Sequence, residues 1–280
     1  VRIVPYTPNR ELIYDLLTRA RRFHCSVSGS WEFDVTALEA ARRAVRVNGR
    51  VLSTTACLLK ATGLVLERYP RLNHHLFHGL FRKFEVEFDT INCTLVLQRR
   101  GPDRERLLFP VTLERTNERT VEELQAQIDH HRYAPLAELP QVAALERLKR
   151  LPRFVLSWFS WKARSDPAFY LRYFGTYGLS NLSTRRSGPV GGSSLANTGA
   201  AFLLGPVRKT PQVVGDAVVV RPTLGVMLVA DHFLVDGADM LEAMAWLGRL
   251  LAAPTRLGLP AVTEPVAGAA PAPDEDEEEP

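Results

Sequence analysis

The residues with the clearest capacity for chemistry lie near the C-terminal end, in Asp231-His232-Phe233-Leu234-Val235-Asp236-Gly237. An almost unbroken apolar run from Leu224 to Ala230 leads into them and reads as a strand, and a helical pattern starts at Gly237. A histidine at a strand end is held by a rigid element, and imidazole, titrating at about pH 6.5, suits proton transfer at neutral pH. Asp236 stands four residues further on, where it can accept hydrogen bonds and pin the turn. Gly237 permits backbone conformations that other residues resist. On residue types alone, a general base and a buried structural histidine both remain open. The other histidines carry less. His74, His75 and His78 come after a helix end and His130-His131 form a pair, but neither set has Cys, Asp or Glu at metal-site spacing, so surface or interface positions are expected and no metal.

Elements able to position His232 can be traced along the chain. Leu12, Ile13, Leu16, Leu17 and Ala20 predict a helix from Arg10 to Phe23, and Cys25 to Phe33 alternates as a half-buried strand does. Helices come next over Asp34 to Arg46 and Ser53 to Arg68, the second ended by Pro70. Three β-rich runs occupy Phe84 to Leu113, and Thr120 to His131 is helical again. Leu151 to Phe174 is dense in aromatics and reads as a packing helix pair, with a lid over an acyl pocket or a membrane-surface contact as the other readings. Strands are then expected over Thr176 to Asn181, Gly199 to Gly205, Gln212 to Arg221 and Leu224 to Ala230, with Gly215-Asp216 as a hairpin turn. A last helix runs from Gly237 to Leu251.

With 280 residues, 46% of them hydrophobic, the chain can bury one large core, expected over residues 1–260. Residues 261–280 are rich in Ala and Pro, end in six consecutive acids before Pro280 and read as a disordered tail. The tail's seven acids leave a charge of about +11 on the first 260 residues, against +4 for the whole chain. A basic body suits an anionic ligand, although scattered surface arginines give the same total. Cys25, Cys57 and Cys93 form no C-x-x-C pair, so neither a zinc site nor a disulfide framework is expected. No apolar run of about 18 residues points to a membrane span, and no signal-peptide pattern opens the chain, which makes the cytoplasm the default. Helices early and strands late disfavour a Rossmann order, and no glycine-rich nucleotide loop is present.

The Asp231 to Gly237 run, D-H-x-x-x-D-G, resembles the catalytic motif of the acyltransferase component of 2-oxo acid dehydrogenase complexes, and is similar to the H-H-x-x-x-D-G of chloramphenicol acetyltransferase and condensation domains. Gly175-Thr176-Tyr177-Gly178-Leu179-Ser180-Asn181-Leu182 resembles the G-T-F-T-I-S-N-L of the same components. Tyr69 to Asn73, Leu108 to Val111 and Val219 to Pro222 look like that family's F-P-x-L-N, V-V-P-V and V-V-R-P. The resemblance covers roughly residues 1 to 253, with its motif matches between Tyr69 and Gly237. Two features depart from the pattern: Phe233 stands where the dehydrogenase components usually have Arg, and Leu151 to Phe174 looks like an insertion.

The resemblance implies an α/β two-layer sandwich of the chloramphenicol acetyltransferase type, a mixed sheet with helices packed on it. It implies transfer of an acyl group between coenzyme A and a thiol such as dihydrolipoamide, or another small acceptor. His232 would be the general base, Ser180 an oxyanion donor, and Asp236 the support of the His232 loop, partnered by Arg10 on the first helix. Asn181 and Gly237 would support the site. The resemblance further implies a homotrimer or an assembly of trimers, with the histidine of one subunit meeting the serine of its neighbour. No lipoyl domain lies in these 280 residues, so a lipoyl group would have to be supplied in cis or by a partner chain, and no nucleic-acid partner is expected. The alternative is a scaffold subunit on the same trimeric fold with weakened catalysis.

Overall fold

The computed structural model describes residues 23–100, 106–183 and 198–261, together with Tyr14 and Thr18. The helix expected from Arg10, and the tail beyond Ala261, fall outside these residues. Along the chain come β1 (Ser26–Asp34), α1 (Thr36–Ala44), the short β2 (Arg46–Val47) and β3 (Arg50–Val51), α2 (Thr54–Arg68), β4 (His74–His78), β5 (Lys83–Glu87), β6 (Cys93–Arg100) and β7 (Arg106–Leu113). They are succeeded by α3 (Val121–Tyr133), α4 (Pro140–Lys149), α5 (Arg153–Ser165), α6 (Pro167–Tyr173), β8 (Tyr177–Asn181), β9 (Ala200–Val214), β10 (Ala217–Asp231) and α7 (Gly237–Ala252).

Six strands form one mixed sheet in the order β1-β10-β9-β8-β6-β7. The strand β8 runs parallel to both its neighbours, and the other pairs are antiparallel. This is the α/β arrangement of a mixed sheet with helices packed on it that the sequence implied. Almost every residue of α2 is apolar or small, and its Leu58, Leu59 and Leu66 are fully buried with Phe109 and Phe202 of the sheet and Leu247 of α7. Burying such a side chain contributes roughly 1.5–3 kcal/mol, so the contact between α2 and the sheet is a main source of stability. Its N-cap, Ser53, accepts a hydrogen bond from the Ala56 amide and donates one to Gln125 Oε1 at 2.7 Å, which ties α2 to α3.

Two expectations change. The strands expected at 199–205, 212–221 and 224–230 are two continuous strands of 15 residues, β9 and β10, joined at Gly215, whose φ of 60° the turn requires. The hairpin carries Pro206, Pro211 and Pro222, with a register shift between Leu224 and Val226 absorbing one irregularity. Secondly, His74–His78 is a strand, β4, paired with β5. No described helix is long and apolar enough to cross a membrane.

The two motifs before β4 and β8 meet in the core. Asn73 is buried, donates from Nδ2 to the Phe88 and Thr90 carbonyls at 2.9 and 3.1 Å, and accepts from Thr176 Oγ1 at 2.5 Å. Gly175 is a glycine because a Cβ there would lie 2.5 Å from the Asn92 carbonyl oxygen. Replacing Asn73 by Ala takes a donor from the Phe88 and Thr90 carbonyls and an acceptor from Thr176, which keeps its bond to the Asn92 carbonyl at 3.3 Å, and we expect a loss of about 1–3 kcal/mol in denaturant unfolding. A loss below about 1 kcal/mol would show that the two motifs are not joined through this side chain.

Candidate active site

The end of β10 is fastened before its histidine is presented. Asp231 is only 3% exposed, yet each carboxylate oxygen has a donor. The His24 ring donates from Nδ1 to Oδ2 at 2.8 Å, and the amides of Cys25 and Phe233 donate to Oδ1 at 3.2 Å. Burial alone would raise the carboxyl pKa; the His24 hydrogen bond, then the Phe233 and Cys25 amides, outweigh it and hold Asp231 below the usual carboxylate range. A second link runs the other way, from the His232 amide to the Cys25 carbonyl at 2.6 Å. The amides of Leu234 and Val235 donate back to the Asp231 carbonyl, and both side chains are buried. The turn is therefore anchored on either side of His232, whose side chain stays half exposed at 49%.

The orientation of the His232 ring decides its chemistry. Its Nδ1 lies 3.0 Å from the Val235 carbonyl oxygen, which can only accept, so Nδ1 carries the proton. In the neutral ring Nε2 then holds the lone pair. This is the tautomer a base needs, fixed by the backbone of its own turn. Asp236 Oδ1 is 3.7 Å from Nδ1, beyond hydrogen-bonding range, so the Val235 carbonyl is the acceptor that orients the ring.

Asp236 is also the N-cap of α7, and its amide donates to Asp239 Oδ2 at 3.2 Å. Its expected partner, Arg10, lies outside the described residues. Arg71 reaches the same helix start, 3.6 Å from Asp239. Gly237 departs from expectation. Its φ is not positive, and a Cβ there would meet nothing within 4 Å, so its place as the first residue of α7 does not demand glycine.

Ser180 sits on β8 between Val96 of β6 and Leu203 of β9. Asn181, next along, donates to Thr55 Oγ1 at 3.0 Å and accepts the Ser183 amide at 2.8 Å, fixing the strand end to α2. Register sets the distance to His232. Ser180 pairs with Leu203, and Leu203 with Met227 of β10, so the serine lies two strands across and five residues back from the histidine. At about 3.3 Å per residue and 4.8 Å per strand the two are roughly 15–20 Å apart. Within one chain the structure does not bring them together.

Two further histidines support the site, one of them, His24, not singled out in the sequence. His24 holds Asp231, and His75 stands behind it, with ring centroids 5.8 Å apart. Expected at a surface or interface, His75 is in fact core: it stacks on Tyr170 of α6 at 4.6 Å. The alternation of β4, with His75 and Phe77 inward, was the available signal. No described cluster of His, Cys, Asp and Glu could hold a metal ion.

Neither a protein-family model nor a curated protein matches the chain. Solved structures do. A dihydrolipoamide acetyltransferase of Azotobacter vinelandii is similar over 92% of this chain and 94% of its own, at 20% identity and a TM-score of 0.67. The cubic core of a pyruvate dehydrogenase multienzyme complex is similar at 19% identity and a TM-score of 0.65, over 92% of this chain and 94% of its own. A truncated catalytic core of the 2-oxoacid dehydrogenase complex of Thermoplasma acidophilum gives 19% identity and a TM-score of 0.59, over 91% and 99%. This chain has the fold of a dihydrolipoamide acetyltransferase core. Such identities establish the acyltransferase fold and leave the reaction to be argued from the site.

The surroundings of His75 generate a pH prediction. Burial, and next the neighbouring His24, push its pKa down to about 3. An unfolded imidazole binds its proton at about pH 6.5, so between those values the unfolded chain holds more protons than the folded one. The stability this residue confers is complete above about pH 6.5 and is lost as pH falls toward 3. We expect His75→Phe to lose clearly less in melting temperature than the unaltered protein between about pH 7 and pH 5. Equal losses would remove His75 as the acid-sensitive group.

Proposed function

We propose that the chain is a coenzyme A-dependent acyltransferase in which His232 is the general base. The observation that carries this reading is the bond from Nδ1 to the Val235 carbonyl, which leaves the Nε2 lone pair on an exposed ring held by a rigid strand end. Nε2 takes the proton of an attacking thiol as its sulfur adds to the acyl carbonyl carbon. The carbonyl electrons move onto oxygen, and the Ser180 hydroxyl donates to that oxyanion. When the tetrahedral species collapses, the leaving sulfur recovers the proton from Nε2. Coenzyme A is one of the two thiols, as substrate. The other is a dihydrolipoamide-like thiol on a partner chain or another small acceptor.

The Ser180 that serves a given His232 belongs to a neighbouring subunit in this reading. The wide separation within one chain supports it, and so does the likeness to a core that is cubic. In the Azotobacter enzyme a serine, a histidine and an asparagine have roles in the catalytic mechanism. Its serine precedes its histidine by as many residues as Ser180 precedes His232, and its asparagine comes four later, as Asp236 does here. The intact His232 turn favours an enzyme over a scaffold unit with weakened catalysis, for which Phe233 in place of arginine is the main argument.

Acyl transfer, measured as release of free coenzyme A, tests the assignment. His232→Ala should lower turnover by several orders of magnitude with unchanged circular dichroism, and near-normal turnover would end the base assignment. Ser180→Ala should lower kcat roughly a hundredfold with little change in KM. A change in KM alone would show that the serine binds substrate without stabilising the transition state.

A further inference from the structure

The pair α5 and α6 shows a surface that acyl transfer at His232 does not explain. Along α5, Phe154, Trp158 and Trp161 succeed one another at helical spacing and are 73%, 53% and 44% exposed. Leu151, just before the helix, continues the stripe. The opposite side of α5 is buried through Leu156 and Ala163. The helix is thus apolar on two faces, and the outward one stays largely exposed although the Trp158 ring meets Phe169 of α6 at 5.9 Å. From Arg147 to Tyr173 the sequence carries seven Lys or Arg and a single acid, Asp166, which pairs with Lys162 at 2.6 Å. Arg147 and Arg150 are exposed at the approach to the stripe, and Arg172 is exposed on α6.

We propose that this face docks on an anionic lipid bilayer, with Phe154, Trp158 and Trp161 in the interfacial layer and the surrounding basic side chains against the headgroups. Indole and phenyl rings favour that layer, and each basic residue held near an anionic surface strengthens binding about fivefold. Charge argues against a second copy of the same face, since a symmetric contact would oppose one basic patch with another. The chain's own acidic residues, 261–280, match the charge but contain no aromatic or leucine to cover the stripe. The buried side of the pair leads toward the catalytic turn, because Tyr170 stacks on His75, which neighbours His24. The docking does not depend on the acyltransferase reading.

The test is sedimentation of the full chain with vesicles of phosphatidylcholine alone or with about a third phosphatidylserine, at about 0.1 M salt. We expect binding to the anionic vesicles and little to the neutral ones. Phe154→Ser with Trp161→Ser should weaken it at least about tenfold, and Arg147→Gln with Arg150→Gln should weaken it by a similar factor, both with unchanged circular dichroism. The proposal is overturned if the unaltered chain does not sediment with anionic vesicles, or if the aromatic pair of substitutions leaves sedimentation unchanged. It is equally overturned if that variant keeps its vesicle binding but loses assembly mass in light scattering, which would assign the stripe to a contact between copies.

Discussion

A carboxylate without solvent around it must find a donor for each oxygen or give up its charge, and Asp231 is such a carboxylate at the end of a central strand. Two of its three donors, His24 and Cys25, come from a remote stretch of chain, and the third, Phe233, from its own turn. Satisfying one buried group thereby closes the edge strand β1 onto β10 and sets the path of the next residues. Along that path Leu234 and Val235 turn inward to the core, His232 turns outward, and the carbonyl of Val235 comes to lie where it accepts from the ring. The tautomer of the proposed base is a consequence of where the aspartate beside it was buried.

The same sheet that holds His232 keeps Ser180 away from it. Parallel pairing of β8 to β9 and antiparallel pairing of β9 to β10 fix the serine five residues back along the histidine's strand. No adjustment of side chains spans a gap of roughly 15–20 Å. If both residues serve one reaction, the serine must come from another copy, and the assembly becomes part of the chemistry. The far end of the β9–β10 hairpin exposes Val213, Val218 and Val220, each about 70%, an apolar surface of the kind that subunit contacts cover.

Much of this was legible in the sequence where the information is local. The Asp231 to Gly237 run is contiguous, so its strand, turn and helix could be read together. The helices α2 and α7 announced themselves by apolar spacing. Long-range partners could not be read in this way: His24 and Asp231 are 207 residues apart, and only strand register brings them together. The G-T-Y-G-L-S-N motif was recognised as a unit, but its parts act differently. Gly175, Thr176 and Tyr177 are packing and hydrogen-bonding residues of the core, whereas Ser180, near the strand end, stays partly open. The full length of β9 and β10 was not legible either, because the prolines within them are tolerated by cross-strand pairing and a register shift that only the fold supplies.

The central claim is that His232 and Ser180 from different copies form one site. The direct measurement is acyl transfer by assemblies containing His232→Ala and Ser180→Ala subunits in equal amounts, with the ratio in the purified assembly checked by mass spectrometry. About three quarters of randomly formed trimers contain both kinds, and each of these has one interface in three where an intact histidine faces an intact serine. Roughly a quarter of the unaltered activity should return. Activity no higher than that of the two separate variants, in assemblies proven to be mixed, would contradict the account.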